Sequence, residues 1–160
     1  MFTRILVPTD GSDLANQSAA NAIQMAKALS ATVVAVSILQ PLASIPFYEG
    51  VGIVGAGADD LMTAQARKRA DQAVEAIGAV ARGADVQCEL RVRESDSIVH
   101  GIVEAATEYR CTLIFIGSHG RRGLTGLLMG SVTRSVLADA HLPVLCLLYT
   151  SPSPRDRQKS

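Results

Sequence analysis

Neither sign of charge is in excess in this sequence. Lysine plus arginine and aspartate plus glutamate number 15 each, so the formal net charge is zero. Electrostatic binding to nucleic acid or a membrane surface needs a basic excess, so neither partner class is expected. Long apolar runs are absent too, and none approaches the length of a membrane span. Cysteine is scarce: Cys88, Cys111 and Cys146 are odd in number and widely spaced, forming neither a CxxC pair nor a disulfide framework. Each sits in an apolar run, as small buried thiols do. The opening MFTRILVPTDGS lacks the plan of a secretory leader, because its apolar stretch is short and ends in Pro-Thr-Asp. A reducing, cytoplasmic setting is the expectation.

Three nucleotide and phosphate signatures are also missing. No GxxxxGK[ST] pattern occurs, which excludes a P-loop. The turn after the first apolar run has the single glycine Gly11, so the dinucleotide fingerprint is absent. A phosphoacceptor receiver would need further acids beside Asp10 and a lysine after the last strand, yet Leu148-Tyr149 follows there.

What remains is a globular pattern. Apolar residues make up 48% and charged residues 19% of the 160, enough for the core of one domain. Arg4 to Pro8 reads as a short strand, and Ser12 as the N-cap of a helix over Asp13 to Leu29. Thr32 to Leu39 is nearly continuous in β-branched and apolar residues, so it predicts a strand buried on both faces. Gln40 to Gly57, with two prolines and four glycines, is too long for an ordinary connection and reads as a mobile loop. Ala66, Ala70, Ala73, Ile77 and Val80 give a helical stripe within about residues 58–81, opposite a solvated face of Arg67, Lys68, Asp71 and Glu75. Val86 to Arg93 alternates strictly, which fits a half-exposed edge strand. Ser95 to Tyr109 is helical in period, Thr112 to Ile116 is a buried strand, Ser131 to Ala140 is a helix, and Pro143 to Leu148 is the last strand.

Strands alternate with helices throughout and no internal repeat is evident. The expectation is an α/β fold: one doubly wound, five-stranded parallel sheet with helices on both faces, Rossmann-like, with right-handed crossovers. An edge position for the third strand makes 3-2-1-4-5 the natural order. Strand order then reverses between the first and fourth strands, and ligands of such sheets bind beyond the carboxyl ends at that point. Asp10 and Gly117 would face one crevice.

The fourth strand runs into GSHGRRGLTGLLMGS, residues 117–131, with glycines at 117, 120, 123, 126 and 130. Such a strand-to-helix turn lets backbone amides approach an anion, and the following helix adds its positive end. The same glycines would also suit a merely flexible loop. Asp10 could contact a base or ribose, hold a cation, or simply satisfy its turn. Ser131 could cap the helix, contact a phosphate, or both. Arg121 and Arg122 could screen phosphate charge or stay solvated. His119 has no acid or nucleophile partner in sequence, and no general base is evident, so any hydrolysis of a bound phosphate compound would be slow and rest on electrostatics and a metal.

The spacing Gly117-x2-Gly120-x9-Gly130-Ser131 resembles the G-x2-G-x9-G-[S/T] signature of the ATP-binding branch of the universal stress protein family. ILVPTDGS and HLPVL resemble that family's first and last strands, so the resemblance spans about residues 2–145. It implies ATP, or AMP or ADP, in the crevice, with Mg²⁺ at the phosphates. By that resemblance Pro8, Thr9, Asp10 and Ile38 fall on the adenine side, and Ile116 and Gly117 on the ribose side. Gly120, Arg121, Gly130, Ser131 and Val132 fall on the phosphate side. It further implies a stress-response regulatory module and a homodimer paired through the last strand. The alternative is a nucleotide-free interaction module of the same fold. Glu94-Ser95-Asp96 and Arg110-Cys111-Thr112 depart from the family's usual turns, away from the nucleotide motif.

A single domain over residues 1–148 is expected, with 149–160 as a disordered tail. The stretch Cys146 to Asp156 resembles the translation of a transposase-type sequencing adapter, which would make the chain foreign from near 146. Its Ser, Pro and Arg content would equally suit an ordinary disordered tail.

Overall fold

The computed structural model of the chain describes residues 1–41, 58–118 and 129–148. The loop expected up to Gly57 lies outside them from residue 42 on, as do His119 to Leu128 and the tail from Tyr149. Among the described residues nine elements follow in order: β1 (Arg4–Pro8), α1 (Asp13–Leu29), β2 (Thr32–Leu39), α2 (Ala58–Gly83), β3 (Cys88–Glu94), α3 (Ile98–Glu108), β4 (Leu113–Gly117), α4 (Ser131–Asp139) and β5 (Val144–Leu147). The strands form one five-stranded sheet, all pairs parallel, in the order β3-β2-β1-β4-β5. This is the expected topology. β3 and β5 start later than read from sequence, at Cys88 and Val144, each preceded by a single bond from the neighbouring strand, Val33 N to Gln87 O and Ile114 N to Pro143 O.

Period-two alternation along the central strands sorts two cores. Ile5, Val7, Val33, Ala35, Leu113 and Phe115 face α1 and α2. Leu6, Val34, Val36, Ile114 and Ile116 face α3 and α4. The helices meet the sheet through small residues: Ala19, Ala22 and Ala26 of α1, and Ala70, Ala73 and Ala81 of α2, are buried. Val80, placed on the buried stripe by period, is instead 47% exposed, and Val74 and Ala81 take the inward positions. α1 starts on Ser12, whose hydroxyl accepts from Ala15 N at 3.2 Å. Three helix-to-strand turns share one device: Ser30, Asp85 and Arg110 adopt positive φ, and the next residue's amide bonds back to Ala26, Ala81 and Ala106 respectively.

The sheet parts in its middle. β1 pairs with β4 at Ile5–Leu113 and Leu6–Ile114. Beyond that point Val7 and Pro8 stay with Ala35 and Val36 of β2, while Phe115 to Gly117 stay with Leu145 to Leu147 of β5. Thr9 donates its amide to Val36 O at 2.9 Å, on the β2 side. Amides alternate in direction along a strand, so the nitrogen of Pro8 faces β4, where proline has no N–H to offer.

Two packing details are testable. A methyl at Gly101 of α3 would lie 2.8 Å from Ile38 Cγ2 and 2.9 Å from Ser95 Cβ. Gly101→Ala gains up to about 1 kcal/mol of helix propensity but pays roughly 1–3 kcal/mol of overpacking. Net destabilisation of about 1 kcal/mol in urea melts is expected; a stabilised variant would show that the backbone gives way freely. At the opposite end of the sheet, Arg4 donates to Glu89 Oε1 at 2.9 Å and to the Tyr109 carbonyl at 2.9 Å. The hydrogen bond from Arg4 holds the Glu89 carboxyl below its ordinary 4.5. A depressed carboxyl stabilises the fold above the unfolded value and loses that effect as pH falls through the folded one. Glu89→Gln is therefore expected to cost about 1 kcal/mol at neutral pH. The gap to wild type should close as pH falls below 4.5, and a gap that persists in melts at low pH would refute the ionic origin.

Candidate functional site

Where β1 and β4 part, a cavity of about 660 Å³ opens beyond the carboxyl ends of the strands. That volume is typical of small-molecule sites. Eight of the residues singled out from sequence line it: Pro8, Thr9 and Asp10 after β1, Ile38 of β2, Ile116 and Gly117 of β4, and Ser131 and Val132 of α4. Gly120 and Arg121 lie outside the described residues. Gly130 does not line the cavity but sits directly behind it, as the N-cap of α4.

The first wall is a rigid turn. Thr9 is buried, and its hydroxyl accepts from Gly11 N at 3.1 Å. Asp10 Oδ1 accepts from Ser12 N at 3.0 Å, so the carboxylate does satisfy its turn while also lining the cavity. Gly11 has φ +77° and lies against α2; a side chain there would approach Ala73 Cβ to 3.3 Å.

The opposite wall is the start of α4. Gly130 has φ −56° and ψ 148° and gives no side-chain cap. Ser131 is therefore the first helical residue rather than the cap, and the capping alternative drops out. Ser131 is exposed and lines the cavity instead. A helix start without a side-chain cap leaves first-turn amides for another acceptor, at the positive end of the helix dipole. Hydrogen bonds fix this end in place. Thr133 Oγ1 donates to the Gly117 carbonyl at 2.8 Å, Gly130 N to the Ser118 carbonyl at 2.6 Å, and Ser118 N to the Leu147 carbonyl at 2.9 Å. The two ends of the glycine-rich segment are thus tied to each other and to β5.

Gly117 is glycine for a packing reason. A Cβ there would stand 3.2 Å from Ser18 Cβ and 3.3 Å from its Oγ, against α1. Ser18 is buried and its hydroxyl has no hydrogen-bond partner among the described residues. Ser18 escaped the sequence reading because serine in a helix interior carries no apolar signal.

Sequence reasoning also missed two walls. Ile98 and Ile102 of α3 complete an apolar slot with Ile38 and Ile116. Ala66, Arg69 and Ala70 of α2 close the other side. Gln40 joins from the end of β2, anchored by its Nε2 to the Asp96 carbonyl at 2.9 Å. Arg69 carried a faint signal, being the residue next to Ala70 on the buried stripe. Arg67, by contrast, pairs with Asp71 on the solvated face as expected.

Chemically, the cavity joins an apolar slot to a helix start rich in donors. Asp10 is the one carboxylate among the described residues that line it. Among the described residues, no cluster of His, Cys, Asp or Glu could hold a metal ion. Burial pushes all three half-buried thiols up, Cys111 to about 11, so none is a thiolate nucleophile at neutral pH. No described helix is long and apolar enough to cross a membrane.

Comparison with known proteins places this arrangement. The family model described as "Universal stress protein family" matches residues 1–147. Universal stress protein MJ0531 of Methanocaldococcus jannaschii is 31% identical over 145 residues, covering 91% of this chain and 81% of that protein. Among solved structures, a universal stress protein in complex with cAMP superposes with TM-score 0.64 at 24% identity, over 94% of this chain and 98% of that one. The universal stress protein of Archaeoglobus fulgidus in complex with dAMP gives TM-score 0.61 at 23% identity, over 91% and 97%. With a family match over residues 1–147 and a relative 31% identical along most of its length, this chain belongs to the universal stress protein family.

Proposed function

We propose that this protein binds an adenine nucleotide in the crevice between β1 and β4, and that it serves as a stress-response regulatory module. The observation that carries this reading is the meeting of two surfaces in one cavity. An apolar slot formed by Ile38, Ile98, Ile102 and Ile116 suits a purine, and the α4 start without a side-chain cap, with Ser131 and Val132, suits phosphate. Two relatives of the same fold were solved with cAMP and dAMP, which supports the same ligand class here. ATP is the ligand implied by the resemblance of the glycine spacing to the ATP-binding branch of the family.

Pro8, Thr9, Asp10 and Ile38 take the base side. Ile116 and Gly117 take the ribose, and Gly120, Arg121, Gly130, Ser131 and Val132 the phosphates. Asp10 carries negative charge, which suits the base and ribose end rather than the phosphates. Mg²⁺, where present, is held by phosphate oxygens and water more than by protein carboxylates. The site holds and orients its ligand, and turnover is slow at most. The parallel β5 edge pairs with a second copy to form a homodimer in the cytoplasm.

Gly130→Val provides the test. Its φ of −56° and ψ of 148° are open to any residue, so the variant should fold. The added side chain blocks phosphate approach behind Ser131. Small molecules released from protein purified without added nucleotide are expected to include an adenine nucleotide by mass spectrometry. In calorimetric titration with ATP and Mg²⁺, the variant should bind at least about tenfold more weakly than wild type. Equal affinity would sink the phosphate assignment. No binding by wild type would favour a nucleotide-free interaction module, and rapid phosphate release would favour an enzyme.

A further inference from the structure

Ser37 is the polar exception in β2. From Val33 to Leu39 every other residue of the strand is apolar. Val33 and Ala35 face α1 and α2, so period two puts Ser37 on that same face, at the carboxyl end of the strand. Thr9 lies beside it. The pairing of Pro8 with Val36 continues one step through the Thr9 amide, which donates to Val36 O at 2.9 Å. Ala66 and Ala70 of α2 line the cavity on this side.

Three buried hydroxyl side chains line the cavity: Thr9, Ser37 and Thr133. Two of them are spent within the fold. The Thr9 hydroxyl accepts from Gly11 N at 3.1 Å, and the Thr133 hydroxyl donates to the Gly117 carbonyl at 2.8 Å. Ser37 is only 5% exposed, yet its hydroxyl has no hydrogen-bond partner among the described residues. It differs from the orphaned Ser18 hydroxyl, which is sealed against Gly117. Ser37 borders open space, the cavity itself. A hydroxyl so placed costs free energy unless something in the cavity pairs with it.

The chemistry of the wall says what that partner is. Acceptors are at hand, the Asp10 carboxylate among them. Donors are scarce. Pro8 has no N–H, and the amides of Thr9 and Gly11 are spent on Val36 O and the Thr9 hydroxyl. The exocyclic amino group of adenine therefore has acceptors to choose from, whereas its ring nitrogens, which only accept, need a donor.

We propose that Ser37 is a base-recognition residue of the crevice, its hydroxyl donating to a ring nitrogen of the bound purine. The inference rests on the adenine-nucleotide reading above and keeps its placement of the base beside Thr9 and Ile38, the residues next to Ser37. The isoleucine slot then packs against the base from the α3 side, and Ser37 meets it from the α2 side.

The test is calorimetry on the full chain with AMP and with its 1-deaza, 3-deaza and 7-deaza analogues, each lacking one ring nitrogen. Wild type is expected to bind one analogue about fivefold more weakly than AMP, the worth of a single hydrogen bond. Ser37→Ala should bind AMP about fivefold more weakly than wild type and no longer distinguish AMP from that analogue. Without nucleotide the variant should melt at or above the wild-type temperature, because it removes an unpaired buried hydroxyl. A merely structural serine gives the reverse pattern, a lower melting temperature with all four ligands weakened alike, and that result overturns the proposal. So does wild type binding all four ligands equally. AMP bound equally by wild type and variant strikes Ser37 alone and leaves the adenine-nucleotide reading standing. If wild type binds none of the four, that reading fails, and the role of Ser37 with it.

Discussion

The separation of β1 from β4 is the constraint on which the rest of the site depends. Two central strands that pair at Ile5–Leu113 and Leu6–Ile114 and then turn to opposite neighbours must leave a gap. Proline at position 8 suits that gap, since a residue with an amide facing β4 would leave an unpaired donor at the crevice floor. The turn after β1 and the segment after β4 are hung on the two lips. Thr9 and Asp10 continue one lip, and Gly117 and Ser118 continue the other.

Rigidity on both lips comes from short hydrogen-bonded links rather than from bulk. The Thr9 amide is held by Val36, Asp10 by Ser12, Ser118 by Leu147 and Gly130, and the Gly117 carbonyl by Thr133. These bonds fix the start of α4 relative to the sheet, so its dipole points at a defined spot. α2 adds a different kind of wall. Its alanines bring it close to the sheet and to Gly11, which lets an arginine on its border reach the crevice. Charge thus enters from the side opposite the helix start.

Much of this was legible beforehand. Strand order followed from one observation, the alternation of Val86 to Arg93, because an edge strand shows one wet face. β3 is indeed at the edge, with Cys88, Leu90 and Val92 turned to the core. The lips of the crevice were legible because strand ends and glycine spacing are local features. The walls from α2 and α3 were not. Ile98 and Ile102 looked like any buried stripe, and Arg69 belonged to neither the stripe nor the charged face read from the sequence. Periodicity tells which side of a helix is apolar, not what that side meets near its end. Ser18 and Gly117 show the same limit: one residue's small size is explained by another almost a hundred positions away.

By itself, then, the sequence determined the element order, the sheet's topology, the family and the two lips of the crevice, all of which rest on short-range patterns of polarity and backbone freedom. Only the tertiary structure decided that Ser131 is not a cap, that Gly117 answers to α1, and that Arg69 shares a wall with Asp10. These are matters of distance between elements. Distances between packed helices are set by how side chains from remote positions interlock, which no local pattern encodes.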